Sequence, residues 1–98
     1  MTHPRIALIH ATPLAIDPIV AAFGRLWPAA RTTNLLDDSL SADLAAEGRL
    51  TGHMIERFIT LARYVHGCAA DAILFTCPAF GPALEATAAA LTIPVLKP

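Results

Sequence analysis

The stretch Asp71-Ala-Ile-Leu-Phe-Thr-Cys-Pro-Ala-Phe80 decides the fold of this chain. Its apolar run is continuous rather than alternating, the pattern of a strand covered on both faces in a parallel sheet. The run ends abruptly in Cys77, and Pro78 and Gly81 follow within a few residues, so the strand stops there and delivers a thiol to the sheet edge. In open α/β sheets, ligands bind in the crevice outside the carboxyl ends of the strands. Cys77 is therefore the first candidate for chemistry.

The same pattern recurs on either side of this strand. Residues 6–9, Ile-Ala-Leu-Ile, are another near-continuous apolar run, followed by the loop His10-Ala-Thr-Pro13. Asp17-Pro18 reads as an N-cap followed by proline at the first helical position, and Ile19, Val20, Phe23, Leu26 and Trp27 make an inward apolar face at helical spacing. Pro28 ends that helix. Arg31-Thr-Thr-Asn-Leu-Leu36 predicts a short second strand, closed by the polar turn Asp37-Asp38.

A short helical piece is expected over residues 41–47. Thr51 then caps a longer helix with Met54, Ile55, Phe58, Ile59, Ala62 and Val65 inward, and Gly67 is placed to terminate it. Pro82 would clash inside a helix begun at Cys77, so regular helix is expected from about Pro82, with residues 77–81 as an open turn presenting free N–H groups. After this alanine-rich helix, Ile93-Pro-Val-Leu96 predicts a fourth strand.

The order β-α-β-α-α-β-α-β predicts an α/β, flavodoxin-like three-layer domain with a four-stranded, mostly parallel sheet over residues 1–98, joined by right-handed crossovers. Lys97-Pro98 follows directly on the last strand with no closing helix, which leads us to expect one half of a larger fold.

Composition narrows the function classes. Hydrophobic residues make up 55% and charged residues 15%, which argues against disorder, yet no apolar run approaches the roughly 18 residues of a membrane span. Arg5 ahead of an apolar run suggests a secretory signal, but His10, Pro13 and Asp17 interrupt it too soon. The net charge is −1 and the seven cations are scattered, so nothing recruits nucleic acid. Cys68 and Cys77 are not spaced as a CxxC motif and have no companion pair for zinc, which points to a reducing cytoplasm and no metal.

With these elements in place, the chain resembles the aspartate/glutamate racemase superfamily, the cofactor-independent group that includes amino-acid racemases, hydantoin racemases and arylmalonate decarboxylases. Four features carry the likeness: the opening strand with its Thr12-Pro13 loop, the Asn34-Leu-Leu-Asp-Asp38 turn, the Asp71-Ala-Ile-Leu-Phe-Thr-Cys77 strand, and the Ile93-Pro-Val-Leu96 strand after an alanine-rich helix. The resemblance implies two similar halves facing across a cleft, each contributing one cysteine. Cys77 matches the first-half cysteine, and nothing in the chain matches the second. Pro78-Ala79 stands where many members have polar Asn-Thr.

The resemblance further implies that Cys77 gives or takes a proton at the carbon next to a carboxylate, with no cofactor. Thr12, Pro13, Thr76, Pro78, Ala79 and Phe80 would bind a small carboxylate substrate, and His10 and Asn34 are further candidates. We expect N–H groups of the following turn to lower the Cys77 pKa and make it the more reactive thiol, while amides of Ala79 and Phe80, with Thr12, steady enolate-like charge. Cys68, Asp37 and Asp38 are read as structural. A homodimer is expected, because a half alone exposes apolar surface, and a two-fold would bring two Cys77 residues together. The edge of residues 93–96 is the other pairing surface. The rival reading is a non-catalytic α/β binding or interaction module lacking the second half; a redox thiol protein would need a nearby resolving cysteine.

Overall fold

Parallel strands need long connections and buried faces, and the two central apolar runs, at residues 5–10 and 72–75, are the ones that become buried. The four expected strands form β1 (Arg5–His10), β2 (Arg31–Leu36), β3 (Ala72–Phe75) and β4 (Val95–Leu96) of one all-parallel sheet in the order β2-β1-β3-β4. The computed structural model describes residues 3–98. Helices α1 (Ile16–Leu26), α2 (Leu40–Glu47), α3 (Gly52–Gly67) and α4 (Gly81–Ala90) make the connections, giving a flavodoxin-like α/β architecture. No helix among the described residues is long and apolar enough to cross a membrane.

Register assigns the side chains to faces. Because successive strand residues alternate, Ala7, Ile9, Ile73 and Phe75 point one way and Leu8, His10 and Leu74 the other. The first set joins Leu40, Met54, Phe58, Ala62, Val65, Ala83 and Leu84 in a single buried core, so α2, α3 and α4 cover that face. Right-handed crossovers put α1 on the opposite face.

On that opposite face the expected inward residues of α1 are not buried. Ile19 and Phe23 are half-buried, Val20 and Trp27 are exposed, and Leu26 is 81% exposed. The cause is a layer with one helix. Leu74 and its register partner Leu96 lie on the same face, where Leu74 borders an open groove beside α1 and Leu96 is 58% exposed.

Local chemistry moves several boundaries. α1 begins at Ile16, one residue before the expected cap, because a 3-10 turn at Pro13–Ala15 leads into it. Asp17 lies in its first turn, and so does Pro18, where no N–H bond is lost. Thr51 caps α3 as expected, its hydroxyl accepting the Met54 N–H at 3.2 Å. Of the expected inward face only Ile55 is less than fully buried. Gly67 is still helical, and the left-handed position falls to Ala69, φ 70°. Residues 77–81 are not an open turn: Pro78–Phe80 form a 3-10 turn that runs into α4 at Gly81, so Pro82 again occupies a first turn. In the fourth strand only Val95–Leu96 is regular, although the Pro94 carbonyl still accepts the Ile73 N–H at 2.9 Å.

Candidate functional site

The carboxyl edge of the two central strands builds the site. β1 runs out through Ala11 and Thr12 beside Thr76 and Cys77, and the Thr76 N–H donates to the Ile9 carbonyl at 3.0 Å. Thr12, Thr76, Cys77, Pro78, Ala79 and Phe80 all border one cavity of about 130 Å³. Ala11 and Ser41 complete its wall. The sequence reading overlooked Ser41, in the first turn of α2, although its place just past the Asp37-Asp38 turn was a usable signal. That turn follows the carboxyl end of β2, at the same edge of the sheet.

Other expected residues lie elsewhere. Pro13 starts the exposed 3-10 turn and does not border the cavity. Thr12 caps that turn, accepting the Leu14 N–H at 3.3 Å, and still presents to the cavity. His10 and Asn34 meet one another instead: the fully buried imidazole bonds Asn34 Oδ1 through Nε2 at 2.8 Å and Thr76 Oγ1 through Nδ1 at 2.7 Å. No buried side-chain nitrogen or oxygen lacks a partner among the described residues.

Cys77 turns its side chain into the core face and is 5% exposed. Burial pushes its thiol up from the ordinary 9.0 to about 11, and backbone groups of Ala11 and Thr76 recover only part of that. The expected lowering by the following turn does not occur. Pro78 has no N–H, and the Phe80 N–H points to the Cys77 carbonyl at 3.5 Å. The resting group is a thiol, with the Ile9 carbonyl 3.9 Å from its sulfur. Cys68 caps α3 at the opposite edge of the sheet, and both cysteines are free.

Asp37 has the structural role expected of it. It receives the Ser39 N–H at 3.0 Å and pairs with Arg57 at 3.2 Å, while Arg57 also holds Asp43 at 2.6 Å. Burial raises the Asp37 carboxyl, but the bonds from Ser39 and Arg57 outweigh it and its pKa lies below the usual carboxylate value. Among the described residues no three His, Cys, Asp or Glu side chains converge on a metal position. On the α1 face a larger groove of about 390 Å³ runs between Ala15, Pro18 and Ile19 and the strand residues Leu74 and Thr76, with no titratable side chain in its lining. Of these two cavities, the one beside Cys77 carries the thiol. No protein-family model, curated protein or solved structure matches this chain.

Proposed function

We propose that the chain is the first half of a cofactor-independent racemase or isomerase site acting at the carbon next to a carboxylate, in a reducing cytoplasm. One observation carries this reading: β3 delivers Cys77 to the carboxyl edge, beside a cavity that Thr12, Ser41 and Thr76 also border. A thiol whose pKa is near 11 is a proton donor at neutral pH. Its S–H bond breaks as a C–H bond forms on an enolate-like carbon, and a thiolate remains. The opposite face of that carbon needs its own base, and Cys68 is too far away to serve. A cavity of about 130 Å³ is also well below the roughly 300–1,000 Å³ of complete small-molecule sites, as a half-site should be.

The test is amide NMR during titration with aspartate, glutamate, hydantoins and arylmalonates, alongside deuterium exchange at the α-carbon in heavy water. Expected are shifts at Thr12, Cys77 and Ala79 with no substantial turnover. Absence of shifts at the cavity with every ligand would discard the reading. The raised thiol pKa favours a second one, a binding module that does no chemistry; binding with no Cys77-dependent exchange at all would select it.

The chain pairs with a second copy through the α1 face, where Leu26 and Leu96 stand exposed. Helix layers pack 8–10 Å apart, so two sheets meeting across α1 stand about 20 Å or more apart, with Cys77 on the far face of each. This dimer forms no shared cleft. Sedimentation of the wild type against Leu26→Glu checks it: dimerisation weakened at least tenfold is expected, and a monomer at 100 micromolar would reject it.

A further inference from the structure

Cys77 is nearly inaccessible, and the wall that encloses its cavity is unevenly anchored. Pro78–Phe80 are fixed on one side, because Phe80 is buried with its ring centroid 4.8 Å from that of Phe58. Thr12 leads away from the thiol, toward α1 on the opposite face of the sheet. The remaining wall, Ser41, belongs to α2, which covers the core face onto which Cys77 turns. In α2 only Leu40 is fully buried, with Leu44 partly so. An eight-residue helix is well short of the roughly 12–15 residues at which a helix becomes even marginal alone. Other bonds must hold it down.

We propose that Arg57 is a positioning residue that latches α2 over Cys77, and that release of this latch, short of global unfolding, is the route by which the thiol meets solvent. This control of access holds whatever reaction the thiol performs.

The latch is a single guanidinium that grips three places. Nη1 donates to Asp43 Oδ2 at 2.6 Å, while Nη2 donates to Ser39 Oγ at 2.8 Å and pairs with Asp37 Oδ2 at 3.2 Å. Ser39 occupies the N-cap of α2 but makes no capping bond; its hydroxyl accepts from Arg57 and donates to Asp37 instead. The start of α2 is thus tied to α3 rather than to its own backbone. Asp37 is fixed to the sheet, since its N–H donates to the His10 carbonyl at 3.0 Å, and Arg57 adjoins the fully buried Phe58. Ser39 and Asp43 are therefore the partners that leave, and α2 swings between Asp37 and the left-handed Gly48 that ends it.

The grip is weak enough to release. Arg57 and Asp37 are about a quarter exposed and Asp43 nearly half, and a groove of about 270 Å³ that His53 and Glu56 also border brings solvent to the pair. Ion pairs of this exposure are individually weak and are screened by salt.

Iodoacetamide labelling of Cys77 across a urea series, read by peptide mass, tests this on the 98-residue chain with no ligand present. Opening of α2 alone exposes little surface, so at low urea the labelling rate should depend on urea far less steeply than amide exchange of Ile73 in β3, which reports global unfolding. Arg57→Met keeps the apolar stem and removes the grip. It should raise low-urea labelling of Cys77 and exchange of the α2 amides together by about threefold to tenfold, the worth of weak ion pairs. Raising sodium chloride from about 0.05 to 1 M should accelerate labelling of the wild type and not of Arg57→Met. Two results overturn the proposal. Equal urea slopes for Cys77 and Ile73 would mean that the thiol is reached only by global unfolding, and an unchanged low-urea rate in Arg57→Met would mean that the chain opens elsewhere with the latch intact. Asp43→Asn, which gives up one grip only, carries the same comparison if Arg57→Met does not fold.

Discussion

The two faces of the sheet carry apolar helices of comparable pattern and treat them oppositely. On one face α3 buries Met54, Phe58, Ile59, Ala62 and Val65, and Phe58 lies between Phe75 at 5.6 Å and Phe80 at 4.8 Å. On the other, α1 presents Ile19, Phe23, Leu26 and Trp27 and buries none of its residues. Amphipathicity settles which side of a helix turns inward. Whether that side becomes dry depends on how many elements share the layer, and here three helices cover one face and one helix covers the other.

That contrast should be largest in stability. Removing a buried phenylalanine ring costs about 3–5 kcal/mol, a large part of the total for a small domain, so Phe58→Ala should leave the chain largely unfolded in mild denaturant. Phe23 is only half-buried and its aromatic partner is Trp27, with centroids 6.2 Å apart, so Phe23→Ala should cost far less, about 1 kcal/mol. Urea titrations of both variants decide it. A loss above 2 kcal/mol for Phe23→Ala would mean that the α1 face is as dry as the other.

The dry face also leaves its mark on pH dependence, through Cys77. The folded thiol titrates near 11 and the unfolded one near 9, so below pH 9 both states keep the proton and stability is unaffected. Between about pH 9 and pH 11 the unfolded state ionises first and stability falls, by about 2 kcal/mol over the window. Cys77→Ala should show a correspondingly flatter curve between these values when urea midpoints are compared at pH 8, 9.5 and 11. Parallel curves would place the thiol in water.

Much of this was readable in the residues because it is local. The second strand, Arg31–Leu36, and the Thr51 cap are where β-branched runs and capping chemistry put them. The site edge was also readable, since a continuous apolar run ending at Cys77 has to deliver it to the carboxyl end. Its ionisation was not, because the thiol pKa depends on how deeply α2 to α4 enclose it, and no nearby residue encodes that. The bonding of His10 to Asn34 and Thr76 escaped for a similar reason: Asn34 and His10 are 24 residues apart and Thr76 is 66 from His10, so only sheet order brings them together. The bareness of α1 escaped because a helix missing from a layer leaves no trace in the pattern of the helix that is present.

Even the well-packed face holds one local misfit, and it gives the smallest effect. α3 ends in a Schellman arrangement, with the Ala70 N–H on the Val65 carbonyl at 3.2 Å and the Ala69 N–H on the His66 carbonyl at 3.0 Å. That geometry demands a left-handed residue at position 69, and alanine occupies it at φ 70°, two positions past the glycine that was expected to serve. After α2 the same demand, φ 75°, is met by Gly48. Left-handed backbone costs a non-glycine residue roughly 1–2 kcal/mol, while glycine's extra freedom when unfolded returns about 0.4–1 kcal/mol of that. Ala69→Gly should therefore stabilise the chain by about 0.5–1 kcal/mol, and Gly48→Ala should destabilise it by a similar amount. Opposite shifts of the urea midpoint are the expected result. If Ala69→Gly weakens the fold instead, the end of α3 is not held in the left-handed turn, and packing of Ala70 beneath it, rather than backbone geometry, sets where the helix stops.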